Sequence, residues 1–136
     1  MGETKDAATG EPLFNSGDAA GLSNDQLSFY LLMNCLNGYP NQPTGESLAE
    51  ALLKAPNGAV AVWTSSGITT PGSQAAISQA FTSFAFNVKF SKSPRIGDVV
   101  KAAKRASNDS DVRRTWQLVG DPTVFIKQQI RLTASS

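Results

Sequence analysis

Apolar positions along the chain alternate between short continuous runs and stretches of helical period. Leu27–Cys35 reads Leu-Ser-Phe-Tyr-Leu-Leu-Met-Asn-Cys, closed by Asn37-Gly38 and Pro40. A run of that length, apolar on both faces and ended by turn residues, predicts a buried parallel strand. Gly45–Ala55 predicts a helix: Ser47 and Glu50 fit a capping box, Leu48 and Leu52 share a face, and Pro56-Asn57-Gly58 stops it. Ala59–Trp63 predicts a second buried strand, running into Thr64-Ser65-Ser66-Gly67. Pro71-Gly72-Ser73 opens a longer helix, with Ile77, Ala80, Phe81 and Phe84 at helical spacing, and Phe81, Phe84 and Phe86 read as core or a covered face. Ser93-Pro94 reads as the N-cap and first turn of another helix, whose apolar face is Ile96, Val99, Val100 and Ala103. Lys101, Lys104 and Arg105 suit its negative C-terminal end. Asp111–Trp116 reads as a short helix, Leu118–Pro122 as a turn and Thr123–Ile126 as a final strand. Asp18–Asn24 reads as loop or a helical turn, and Val88–Ser93 as loop or a short extended piece.

This order gives an α/β architecture with three parallel strands. Three strands make an incomplete sheet whose edges need cover. The expectation is part of a larger sheet, with the missing strands before Met1 or in another chain, and with self-association or partner docking at an exposed edge. The expected organisation is a flexible segment over 1–11, the domain over 12–126 and a tail or linker over 127–136.

Composition narrows the function. The 136 residues are 40% hydrophobic and 17% charged, which fits a globular domain. No apolar run approaches the ~20 residues of a membrane span. Met1–Thr9 lacks the basic-then-apolar pattern of a leader. A net charge of +1 gives no electrostatic pointer to nucleic acid. The chain has no histidine, so its own residues supply neither a Ser–His nor a Cys–His pair, nor an imidazole zinc site. One cysteine excludes an internal disulfide and a thiolate cluster. Asp18, Asp25, Asp109 and Asp111 follow no calcium-loop spacing. No metal or cofactor is expected.

Functional groups of such sheets lie at the carboxyl ends of strands. Cys35 ends one predicted strand, and Thr64, Ser65 and Ser66 end the next. Position alone leaves two readings of Cys35, a small buried hydrophobe or a nucleophile. Trp63 reads as a substrate wall or as sheet packing, and Trp116 as core. Lys101, Lys104, Arg105, Arg113 and Arg114 read as a solvated face or as a surface for an acidic partner.

Four blocks carry a family resemblance. Met33-Asn34-Cys35-Leu36-Asn37-Gly38-Tyr39 resembles the nucleophile segment of gingipain-type cysteine peptidases, which have the caspase-like fold. The resemblance continues through Ser47–Leu53, Gly58–Ser66 and Thr115–Pro122, in register over about residues 12 to 126. It implies a three-layer sandwich, here a partial, mainly parallel sheet with helices on both faces. It implies peptide-bond hydrolysis through a thioester, with Cys35 attacking and its own N–H among the oxyanion donors. Met33 would touch the primary specificity pocket. Trp63, Thr64 and Ser65 would run beside the bound protein or peptide substrate and pair with its backbone. Glu50 and the Gly120-Asp121-Pro122 turn would be structural.

The departures define what is missing. The family's general base is a histidine upstream of the nucleophile, and this chain begins roughly where it would just have passed. Its aromatic lid has no clear match between Gly67 and Thr70, and Pro40 stands where an aromatic is usual. The reading is therefore the C-terminal, nucleophile-bearing half of a caspase-like peptidase domain, inactive alone, which needs an upstream His-bearing segment or companion chain. The alternatives are a non-catalytic caspase-like binding or scaffold module, and an unrelated small α/β domain. The setting implied by the family is the bacterial cell envelope or exterior.

Overall fold

The computed structural model describes residues 7–41, 43, 45–87 and 93–127. Their elements are α1 (Ser16–Ala20), β1 (Ser28–Leu31), α2 (Leu48–Lys54), β2 (Ala59–Ser65), α3 (Pro71–Ala85), α4 (Ile96–Ala106), α5 (Ser110–Thr115) and β3 (Trp116–Gly120). Among the described residues the sheet runs β1-β2-β3. β1 is parallel to β2, with Leu31 opposite Trp63. β3 is antiparallel to β2, with Leu118 opposite Trp63 and Trp116 opposite Ser65.

Alternation along β2 builds the layers. Trp63 faces a cluster with Ile77 and Phe81 of α3, Val99 and Ala103 of α4, Val112 of α5, and Trp116. Val62 faces the other side, with Ala19 of α1 and Leu48, Ala51 and Leu52 of α2. Period-2 side-chain direction thus places helices on both faces of one sheet.

The local signals for α2 and α3 hold. Ser47 accepts from Glu50 N while Glu50 accepts from Ser47 N, so the capping box forms as read. α3 starts at Pro71 behind the Thr70 cap. β2 extends two residues past the expected Trp63. Asn15 caps α1 through Gly17 N and Asp18 N.

Four expectations are corrected. Leu118–Gly120, read as turn, belongs to β3, and β3 is antiparallel rather than the third parallel strand. The turn signal Gly120-Asp121-Pro122 marks where that strand ends, not where it sits. Thr123–Ile126 forms no strand; only the isolated bridge of Arg95 with Phe125 is present. Ser93-Pro94 does not open α4, whose N-cap is Arg95. Pro94 O instead accepts from Ile126 N, and Ile96 N and Gly97 N donate to Val124 O and Pro122 O. Pairing with the segment after β3 holds those residues extended and delays the helix. β1 is also shorter than the expected Leu27–Cys35 run: it ends at Leu31, and one further ladder bond joins Leu32 N to Trp63 O. Phe81 is buried, whereas Phe86 closes α3 with 56% of its surface exposed. Residues 88–92 and all of the tail after Lys127 lie outside the described residues.

Candidate active site

Cys35 lies in the loop that follows β1, beside the loop that follows β2. Its thiol is partly exposed and unpaired with another sulfur. The Sγ contacts one short segment of the neighbouring loop and one helix. It lies 3.3 Å from Thr69 O, to which the thiol donates, and 3.4 Å from Thr69 N, which donates to it. Gln74 Nε2 donates to Sγ at 3.3 Å and to Thr69 Oγ1 at 3.1 Å. Thr69 and Gln74 are both buried, so the polar cradle of the sulfur is a fixed part of the fold.

The loop holding Cys35 is anchored at several points. Leu36 adopts the left-handed conformation, with φ of 63°, and turns the chain immediately after the cysteine. Tyr39 N donates to Leu36 O. Asn37, fully buried, takes Ala49 N on its carbonyl at 3.2 Å and bonds Asn34 through its side chain. Gly38 N donates to Ser65 O at 3.0 Å, and Gln117 Nε2 of β3 donates to Gly38 O at 2.6 Å. Glycine is required at 38 because a Cβ there would stand 2.4 Å from Thr64 Cγ2. The nucleophile loop is thus tied to α2, to β2 and to β3. No described residue takes the Cys35 backbone N–H.

The second loop is built around Thr115. Ser65 Oγ donates to Gly67 O and lies 3.2 Å from Thr115 Oγ1. Ser66 N and Ser66 Oγ both donate to Thr115 O, at 2.9 and 3.0 Å. A Cβ at Gly67 would meet Thr115 Cγ2 at 2.5 Å, so the loop packs down on the end of α5. These ties carry the chain to Ile68, which is 79% exposed, and then to Thr69 at the sulfur.

The structure treats the residues singled out in the sequence unequally. Cys35 and Met33 are in one loop. Met33 is partly buried, packs against the tryptophan cluster and lines an open depression of about 200 Å³ with Leu13, Phe14, Asn34 and Asn37. Trp63, Thr64 and Ser65 are wholly buried, and their strand is paired on both sides. Their side chains are core; β3 pairs with all three, and on the other side Trp63 O accepts from Leu32 N and Ser65 O from Gly38 N. Buried Trp63 Nε1, Thr64 Oγ1 and Trp116 Nε1 have no hydrogen-bond partner among the described residues, which agrees with a packing role in the sheet. Thr69 and Gln74 are not singled out in the sequence, and Thr115 and Gln117 stand there only as members of the last family block. The groups they meet at the site, on Cys35, Ser65, Ser66 and Gly38, lie far along the chain, and no local spacing marks those contacts.

Comparison with known proteins agrees with this geometry. The family model for peptidase family C25 matches residues 2–127. The crystal structure of the Arg-specific cysteine proteinase gingipain R superposes with a TM-score of 0.74 and 22% sequence identity, over 92% of this chain and 31% of that chain. At that identity the likeness establishes the fold, and this chain spans less than a third of the length of gingipain R. No curated protein matches. The α/β sheet with helices on both faces is the caspase-like architecture, and the chain belongs to peptidase family C25 as a cysteine-peptidase-type domain.

Proposed function

We propose that residues 12–126 form the nucleophile-bearing half of a cysteine endopeptidase domain and that Cys35 is its nucleophile. The observation that carries this reading is the placement of a partly exposed thiol on an anchored loop at the carboxyl end of β1, cradled by Thr69 and Gln74. Family membership supports the reaction class.

In the proposed reaction the Cys35 thiolate adds to the carbonyl carbon of a peptide bond. The developing oxyanion is within reach of the Cys35 N–H, which no described residue uses. The amine departs after protonation and leaves a thioester, which water hydrolyses to regenerate the thiol. Two proton transfers need a base that becomes an acid. Thr69 and Gln74 offer neither, and the chain has no histidine. The base must come from a His-bearing segment outside these 136 residues, and the chain by itself is expected to be inactive. Removing one member of such a unit typically lowers the rate by several orders of magnitude. Met33 is proposed to border the pocket for the substrate side chain, and the segment from Trp63, Thr64 and Ser65 to exposed Ile68 to run beside the peptide. The proposed setting is the bacterial exterior or cell envelope, by analogy with the family.

The absent histidine favours a second reading, a caspase-like binding or scaffold module. Fluorogenic peptide hydrolysis separates the two, measured on the protein from its native source, whose mass and N-terminal sequence are determined first. Activity that requires a His-bearing segment and disappears in Cys35→Ala supports the peptidase. A native protein with no such segment and no turnover, or turnover unchanged in Cys35→Ala, overturns it.

A further inference from the structure

We propose that the free edge of β3, with the cations above it, docks a carboxylate-rich extended segment of a protein partner. The inference rests on the fold alone and is independent of the role of Cys35.

The bonds of β3 set which backbone groups face outward. Ser66 N donates to Thr115 O and Asp121 N to Val60 O, bracketing the β2–β3 ladder. Alternation in an antiparallel pair then turns Gln117 and Val119 toward β2 and Trp116, Leu118 and Gly120 away from it. Trp116 O is outward, and Lys104 Nζ caps it at 2.6 Å. The backbone N–H and C=O of Leu118, next along the same edge, are taken by no described residue. One lysine blocks the edge at one end and leaves the rest as a template for another strand.

An open depression of about 590 Å³ lies along this edge. Leu118 and Pro122 give it apolar surface, Lys101, Lys104, Arg105 and Arg113 give it charge, and no acidic residue lines it. Lys101 and Arg105 are one turn apart on α4 and share a face. Arg113 is near enough to Asp109 to act on its carboxyl, but the other three cations have no carboxylate partner among the described residues. Burial holds the Lys104 ammonium below its usual pKa, so a neighbouring anion would favour its charged form. An extended peptide repeats side chains on one face about every 7 Å. Alternate glutamates would therefore meet successive cations of α4 while the peptide backbone pairs with Leu118.

The test uses a fluorescein-labelled peptide of alternating Glu and Val and its Lys-Val counterpart, read by fluorescence anisotropy against this chain. The acidic peptide is expected to bind and the basic one not to. The double variant Lys101→Glu/Arg105→Glu, both at exposed positions, should weaken binding by about tenfold or more. N-methylation of alternate peptide amides should weaken it on the unaltered protein, which keeps the test valid if the double variant misfolds. Absence of binding, equal binding of the Lys-Val peptide, or indifference to N-methylation overturns the proposal. So does a dimer in sedimentation that the double variant dissolves, because the face would then belong to a second copy.

Discussion

The two faces of the sheet are packed by different means. The face under α3, α4 and α5 is filled by large rings: Phe29 stacks on Phe81 at 5.2 Å, Trp63 lies 5.2 Å from Phe81, and Trp63 meets Trp116 edge-on at 5.3 Å. The buried part of the face under α1 and α2 holds no ring: Ala19, Ala49, Ala51 and Ala59 surround Leu48, Leu52 and Val62, with Phe14, Leu22 and Tyr30 only partly buried against them. Small side chains let a helix approach closely. Here α2 comes close enough for Ala49 N to hold the Asn37 carbonyl in the cysteine loop. The rings on the other face set the position of α3, which delivers Gln74 to the sulfur. One face therefore fixes the backbone around Cys35, and the other fixes the polar surroundings of its thiol.

That contrast is open to direct attack. The largest effect is expected for Trp63→Ala, which empties the aromatic face and should cost about 3–5 kcal/mol in denaturant unfolding. An unchanged midpoint would mean that the tryptophan cluster contributes little. Gly38→Ala strikes the junction of the two loops, where the added methyl meets Thr64. A loss of about 1–3 kcal/mol is expected, with faster alkylation of Cys35 as its loop loosens. Unaltered alkylation would separate the thiol from the anchoring at Gly38.

On the α2 face, Ser47→Ala should cost about 1 kcal/mol by removing the cap. The cap also has a pH signature. Hydrogen bonds from the Ser47 backbone and side chain hold the Glu50 carboxyl below its ordinary value of 4.5. A lowered folded-state value gives stability that is complete above 4.5 and lost as pH falls through the lowered value. The difference in Tm between the unaltered chain and Glu50→Ala should therefore be present at neutral pH and vanish in acid. A difference that persists in acid would show that the carboxylate is not its source. The smallest effect is expected for Cys35→Ala, within about 1 kcal/mol, because the thiol is only partly buried. A large loss would return Cys35 to the core reading.

The elements legible in the sequence are those whose causes are local. Ser47 with Glu50, Pro71-Gly72-Ser73 at the start of α3 and the apolar run of β2 each carry their signal within a few residues, and each element forms where it is read, β2 running two residues further. The position of Cys35 after a strand was legible for the same reason, although β1 ends sooner than the apolar run. β3 was missed because Trp116–Gly120 becomes a strand only by pairing with β2 across the chain. Ser93-Pro94 has the chemistry of a helix start, and distant pairing with Ile126 overrode it.

The candidate site divides along the same line. Sequence by itself determined that the chain has one thiol and no histidine, and so no base of that kind for the thiol. It also determined that the thiol follows a strand-like segment, and it carried the four blocks that mark the family. Only the tertiary structure decided that Trp63, Thr64 and Ser65 are interior, because a central strand has neighbours on both sides. It alone brought Gln74 and Thr69 to the sulfur and Gln117 to Gly38, contacts that span 39, 34 and 79 residues of chain. Such contacts form only when helix packing and strand register have already closed the intervening loops, and no spacing in the sequence encodes them.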